Sequence, residues 1–496
     1  MHLLSFPPDA EKIYSFTKIE RNFYILFKPY CNFASNYCII MAHFQKEYRF
    51  FMKEEHRKYA EEVYDIINHA AKNIGARLPG SDGEKKFAAY MGDKLREIGI
   101  EPVREEFAVS PRASIGGIPY AGWLGLALSA LVYIAMGIPA VWYGMALASA
   151  ACIVWLVCSV FLYKTWFDMF FKQEVSQNTY GELLPEDGKY DYTIILSGHT
   201  DTSWNWRHSE HASKFAKTNP ALGLVATFVK VGFGALCFFF LAGTSIAVAT
   251  LYTGYYFGAS WAAEAFASPA FVNFMFAMRF LPLVTAIGCA FLVMWADPDP
   301  RNASRGAMDN ASGCAISYAV TKYFKENPDK MPKNCRIIDF NCGSEEAGLR
   351  GSLAFTRAHK GEAILENAWN INLDSVADKD YFEVVIKDDW QFCRFDKDLE
   401  AMFKDTFAEL GIQSKSNGCI HNPVGGCDST PMTKAGMKSV TFAAQDPTLT
   451  YYYHTWRDMP ERFSVDTVGD GFDVVLGVID KIDKFQQANG FTGPRR

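Results

Sequence analysis

Residues 336–348 read RIIDFNCGSEEAG: a short apolar run, RIIDF at 336–340, closes on a glycine and two adjacent carboxylates, Glu345 and Glu346. An apolar run this short is typical of a strand buried on both faces. Three more runs of the same kind occur at 192–196 (YTIIL), 368–373 (AWNINL) and 439–443 (SVTFA). Between them lie helical patterns. Residues 84–98 place Phe87, Met91, Leu95 and Ile98 on one face and stop at Gly99. Residues 312–324 place Ala315, Ile316, Ala319, Val320 and Tyr323 inward, and residues 46–74 show the same spacing at Tyr59, Val63, Ile66, Ile67 and Ala70. Strands alternating with helices predict an α/β fold, a mostly parallel mixed sheet with helices on both faces. Such sheets collect ligands at the carboxyl ends of their strands.

The polar residues gather at those ends. The strand at 192–196 runs into Gly198-His199-Thr200-Asp201, the one at 336–340 into Glu345-Glu346, and the one at 368–373 into Asp374-Ser375. Met308-Asp309-Asn310 opens a helix, and Tyr453-His454-Thr455 follows the last strand. Two histidines with three or four carboxylates are the donor set for a pair of divalent ions, most simply zinc. Two ions about 3.5–4 Å apart share a bridging carboxylate and activate a water between them, whose proton needs a carboxylate that is not a ligand. Adjacent Glu345 and Glu346 suit that division. Singly, an HxD or a Glu-Glu pair means little; the ordered set, each member at a strand end, is specific.

In 496 residues with 21% charged residues and a net charge of −6, nothing suggests a nucleic-acid binder. Charge is unevenly placed. Residues 113–163 and 231–263 contain no Asp, Glu, Lys or Arg. Apolar runs at 123–138 and 142–163, split by Gly137-Ile138-Pro139, and at 231–252 and about 271–295, the last containing Arg279, have the length of membrane spans. Tyr120, Trp123, Trp142, Tyr143 and Tyr163 stand where interfacial aromatics are expected. Four such runs predict two transmembrane helical hairpins, with Arg279 reaching the interface from a last helix that starts near Phe280. The twelve cysteines show no CxxC and read as reduced thiols.

The chain resembles the co-catalytic di-zinc aminopeptidases of the aminopeptidase Y and bacterial leucyl aminopeptidase type. The motifs that carry the resemblance are RLPGSDGEKKFAAYM, SGHTDT, MDNASGCA, GSEEAGLRGS, NINLDS, GGCDSTPM and YYYHTWRDMPERF, together covering about half of the sequence. The resemblance implies two Zn²⁺ per chain, with His199, Asp309 and Asp374 on one and Asp309, Glu346 and His454 on the other. It implies Glu345 as general base, Asp201 as the residue orienting His199, and Asp428 on a loop lining the substrate pocket. His421 is an outside candidate for substrate contact, while His208, His211 and His359 read as surface residues. A tyrosine steadying the oxyanion is left unassigned among Tyr451, Tyr452 and Tyr453. Residues 202–308, where the family has only a short loop, are the main departure.

The organisation expected is an extension over 1–40 that is poorly ordered or precedes a start at Met41, catalytic pieces at 41–112, 167–220 and 298–490, and hairpins at 113–166 and 221–297. The function expected is an aminopeptidase acting on peptides at the bilayer. A di-zinc amidohydrolase, carboxypeptidase or glutaminyl cyclase, or a non-catalytic receptor or scaffold on the same fold, stands as the alternative. The flanks of the catalytic pieces carry Arg112, Lys164, Lys172, Arg207, Lys214, Lys217, Arg301 and Arg305, whereas the far turns, 137–140 and 253–269, carry only Glu264. Positive flanks predict four spans with the catalytic domain in the cytoplasm.

Overall fold

The computed structural model describes residues 52–135, 137–210, 219–297, 299–422, 425–448 and 451–496. The expected extension over 1–40, the start of the helix predicted from residue 46, and His211 lie outside the described residues. Nine strands form one mixed sheet: β1 Val103–Val109, β2 Glu174–Leu183, β3 Tyr192–His199, β4 Cys335–Cys342, β5 Ala368–Val376, β6 Phe382–Asp388, β7 Cys393–Arg394, β8 Cys419–Asn422 and β9 Lys438–Ala444. Their order is β1-β2-β4-β3-β5-β9-β6-β7, with β8 pairing β6. The four central strands, β4-β3-β5-β9, are parallel and are the four apolar runs read from the sequence.

Helices cover both faces, as expected. Arg57–Asn68, Ser312–Glu326 and Val465–Asn489 pack on one, burying Ile194, Leu196, Ile316 and Val475. The shorter helices Arg350–Ala358 and Ser429–Lys434 lie on the other, over a smaller core with Ile195, Phe340 and Phe355. Strand β2 was not legible. Its Ser176, Gln177, Asn178 and Thr179 are buried yet polar, so the apolar signal of a covered strand is missing.

The apolar insertions leave from the loops between β1 and β2 and after β3. Among the described residues three helices are long and apolar enough to cross a membrane: Ile115–Ile134, Pro139–Phe161 and Val229–Tyr256. The fourth run differs from expectation. It is two helices, Pro269–Ala277 and Leu281–Val293, bent by 50°, with Arg279 at the bend over the Phe276 ring. Pro282, near the start of the second helix, supplies no N–H to a continuous ladder, and its ring excludes the carbonyl one turn earlier. Leu281–Val293 alone is about 20 Å long, short of a bilayer core. The helix read as 231–252 is longer, Pro220–Tyr256, because no breaker intervenes before Gly258.

These helices pack on one another through small residues. Leu281–Val293 lies against both Ile118–Ala135 and Pro220–Tyr256, and a Cβ on Gly288 would fall 2.6 Å from the Cβ of Cys237. Close backbone approach of this kind is the packing that apolar helices use when burial from water is not the driving force. Their outer surfaces stay apolar: Ile134, Leu147, Leu236, Leu283 and Ile287 are all more than half exposed. Gly288→Leu is expected to overpack this contact at a cost of about 1–3 kcal/mol, read as a lower melting temperature in detergent. An unchanged melting temperature would show that the contact is loose.

Candidate metal centre

The carboxyl ends of β3, β4 and β5 meet as the sequence anticipated. His199, the last residue of β3, brings Nε2 to 2.9 Å from Asp309 Oδ1 and 3.9 Å from Asp374 Oδ1. His454 Nε2 lies 2.9 Å from the other oxygen of Asp309 and 3.0 Å from Glu346 Oε1. Among the described residues two groups suit a metal, His199-Asp309-Asp374 and Asp309-Glu346-His454, with the donor atoms of each within 4.8 Å of one another. Asp309 belongs to both. One shared carboxylate between two nitrogen–oxygen sets is the geometry that a two-ion site requires.

Local backbone departures aim these side chains. The pairing of β5 with β9 slips between Leu373 and Val376, and Ser375 takes φ 60°. A bulge of this kind re-aims one side chain, here Asp374. Ser344, preceding the two glutamates, and His454 itself also have left-handed backbone, φ 54° and 53°. Such conformations in residues other than glycine persist where the surroundings impose them.

The surroundings are specific. Asp201 does two things. Its side chain stands 3.3 Å from His199 Nδ1, as expected, and its two oxygens accept the backbone N–H groups of Glu345 (2.9 Å) and Glu346 (3.0 Å). Asp458, unassigned from the sequence, accepts the N–H groups of Met308 (2.8 Å) and Asp309 (3.0 Å), fixing the shared carboxylate from behind. Arg77 and Glu84 come from the RLPGSDGE segment. Arg77 is fully buried and donates to the carbonyls of Thr200, Arg305 and Gly306, each at 2.8 Å, joining the loop after His199 to the one before Asp309. Glu84 accepts from Gly80 N–H (2.7 Å) and from Ser344 N–H (2.6 Å) and Oγ (2.8 Å). Burial, then the nearby Asp201, raise its carboxyl to about 8. Nothing in residue type marked these positioning roles; the spacing of RLPGSDGE carried the only hint.

The electrostatics show whether metal fits. Burial raises Asp374 to about 7 and pushes Glu345 and Glu346 above the usual carboxylate range. Asp309 goes the other way, because the two imidazoles outweigh its burial. At His454 burial opposes charge, yet Glu346 and Asp309 prevail and raise it to about 10. Four carboxylates thus converge on two histidines. Buried acids in such excess call for cations, and none of the described residues lining the adjoining cavity is Lys or Arg. The donor chemistry and the charge both fit zinc.

That cavity has a volume of about 330 Å³. Glu345, Glu346, Asp309, Asp374 and His454 line one part of it. Of the three tyrosines left open, Tyr453 lines the cavity, its ring stacked on His454 at 3.7 Å, whereas Tyr451 and Tyr452 do not. Tyr163, which the sequence reading placed in an interfacial belt, lines it too. His421 is on the wall, and so are Gly425, Gly426 and Cys427 of the expected pocket loop. Asp428 is fully buried, with Ser352 Oγ at 2.5 Å and Cys342 Sγ at 2.8 Å on its two oxygens. Expected at the surface, His208 is instead buried beside the indoles of Trp206 and Trp295 (5.7 and 5.2 Å), since the end of the second insertion folds back onto this loop. His359 bridges Glu105 and Glu362, both at 2.7 Å. The described cysteines are all unpaired, including Cys419 and Cys427.

Residues 290–479 match the family described as Peptidase family M28. The match spans 190 of the 496 residues. A peptidase family model over this stretch supports a hydrolase acting on peptide bonds. No curated protein matches the sequence. Among solved structures, the chain is similar to the zinc aminopeptidase BSAP from Bacillus subtilis (14% identity, 85% of this chain and 95% of that one, TM-score 0.47). It is also similar to an aminopeptidase from Aneurinibacillus sp. strain AM-1 (11%, 86% and 93%, 0.46) and to the glutaminyl cyclase of Porphyromonas gingivalis (11%, 85% and 98%, 0.43).

Asp458→Ala is expected to leave the donors in place but free the Met308–Asp309 backbone. Removal of such support costs roughly 10–100-fold in metal affinity. Competition for zinc with a chromophoric chelator measures it, and affinity equal to the parent's would rule out the positioning role.

Proposed function

We propose that the protein is a membrane-embedded aminopeptidase that holds two zinc ions, one by His199, Asp309 and Asp374 and the other by Asp309, Glu346 and His454. The observation that supports this most directly is the pair of donor groups sharing Asp309, with Glu345 beside them and outside both. Zinc at these positions supplies Lewis acidity toward the scissile carbonyl and a water of lowered pKa. Glu345, outside both donor groups, would hold the proton moved from the attacking water to the leaving amine. Asp201 fixes the turn that presents Glu345 and orients His199. Asp428 holds the pocket loop through Ser352 and Cys342, and Tyr163 and Tyr453 are the cavity tyrosines available to a developing oxyanion.

Charge on the wall favours the N-terminal end of a peptide as substrate. A carboxypeptidase holds a free carboxylate, normally with a basic side chain, and the cavity wall has no Lys or Arg among the described residues while it has five acids, Asp309, Glu345, Glu346, Asp374 and Glu383. The retention of every expected ligand and of the base speaks against a non-catalytic scaffold.

The membrane reading rests on the exposed apolar helices and on the roots of the hairpins. Within the first, Ser114 Oγ donates to the Ser159 carbonyl (3.0 Å); in the second, Asp297 N–H donates to the Asn205 carbonyl (2.9 Å). Each insertion therefore returns where it left, which requires an even number of crossings, the bent pair Pro269–Ala277 and Leu281–Val293 counting as one. Basic flanks beside the catalytic unit are what favours a cytoplasmic location for it under a four-span reading. The bilayer and a peptide are the partners, and no nucleic acid is.

In detergent-purified protein, Glu345→Gln is expected to retain both zinc ions while hydrolysis of aminoacyl amides falls at least 10²–10⁴-fold; Asp309→Ala is expected to lose metal. Substantial activity in Glu345→Gln would remove the proton-transfer role, and zinc-loaded protein that cleaves peptide acids but no free-amine substrate would remove the aminopeptidase reading. For orientation, Tyr256→Cys in the far turn is expected to react in intact cells with an impermeant maleimide above the native background, whereas Lys189→Cys is not. The reverse pattern would invert the topology.

A further inference from the structure

The same cavity that holds the metal donors continues between the membrane hairpins. On the first hairpin its wall includes Ile118, Leu156 and Val160; on the second, Val231, Ala235 and Phe238. Val231, Ala235 and Phe238 follow helical spacing, so a single face of Val229–Tyr256 looks into the space. None of these six side chains is polar. Hydrogen bonds tie this chamber to the catalytic loops. Arg350, four residues after Glu346, donates to the Tyr163 carbonyl (3.1 Å), and Gln391 Nε2 to the Phe161 carbonyl (2.7 Å). An insertion serving only as an anchor has no need to wall the reaction site, and a free peptide of ordinary polarity would lose its water there without regaining hydrogen bonds.

Resting on the aminopeptidase reading above, we propose that the substrate is an amphiphile: a free-amine amide carrying, on one side of the scissile bond, an apolar chain that lies between the two hairpins. Its polar end sits among the acids, and its chain fills the apolar chamber, as occurs in largely preformed ligand cavities. With no Lys or Arg among the described wall residues, a free carboxylate on that chain is disfavoured.

Two probe series test this in one nonionic detergent: leucyl n-alkylamides from ethyl to decyl, and ethylamides of N-terminal residues with side chains lengthened from norleucine to 2-aminodecanoic acid. In one of the two series, kcat/KM is expected to rise with chain length, up to about fourfold per methylene where burial is complete. The dissociation constant of the same amides for zinc-loaded Glu345→Gln, measured by calorimetry, is expected to fall in parallel. Ala235→Phe and Val231→Phe narrow the chamber, and each is expected to bring the long-to-short ratio toward one while keeping its zinc content and melting temperature. Because every protein is assayed in the same detergent, partition into micelles cancels in that comparison. If neither series responds, or if both variants keep the parent ratio, the chamber does not hold substrate, although hydrolysis of the short amides would leave the aminopeptidase reading intact. If zinc-loaded protein hydrolyses no free-amine amide and Glu345→Gln binds none, both readings fail together.

Discussion

The carboxylate of Asp309 faces both imidazoles, one through each oxygen. Almost every unusual feature nearby serves to keep it there. Its backbone is held by Asp458, the loop before it by Arg77, and the loop bearing its acidic neighbours by Asp201 and Glu84. Concentrating four acids on two histidines is unfavourable in a buried place unless cations join them. Divalent cations are the partners that this donor set and its excess of acids suit.

That constraint explains where the chain tolerates large insertions. The central parallel strands and their register place His199, the Glu345–Glu346 turn and Asp374. The loops leaving β1 and β3 carry more than the family's usual length without disturbing a single donor, because the insertions close on themselves at their roots. What they change is the wall of the cavity. Residues from both apolar insertions face the same space as Glu345 and His454.

Legibility followed the strength of local signals. The four central strands are covered on both faces, so their apolar runs stand out, and the metal donors at their ends are chemically conspicuous. Strand β2 is buried under polar side chains that bond to the catalytic loops, and it left no such trace. Asp458 and Glu84 look like ordinary surface acids in sequence; only the backbone N–H groups that they accept reveal them. His208 misled for a related reason, since its burial comes from two indoles, one of them, Trp295, 87 positions away.

The sequence by itself determined the α/β class, the candidate donor set that meets at the strand ends and the apolar character of four segments. Those properties depend on residue type and on spacing within one or two turns or strands. Tertiary structure alone decided that Asp201 grips two backbone amides as well as a histidine, that Asp458 holds the backbone of Asp309, that the fourth apolar run bends at Arg279, and that the apolar insertions wall the cavity beside the donor groups. Each of these depends on distances between residues far apart in the chain, which the sheet order and the helix packing fix and no local pattern encodes.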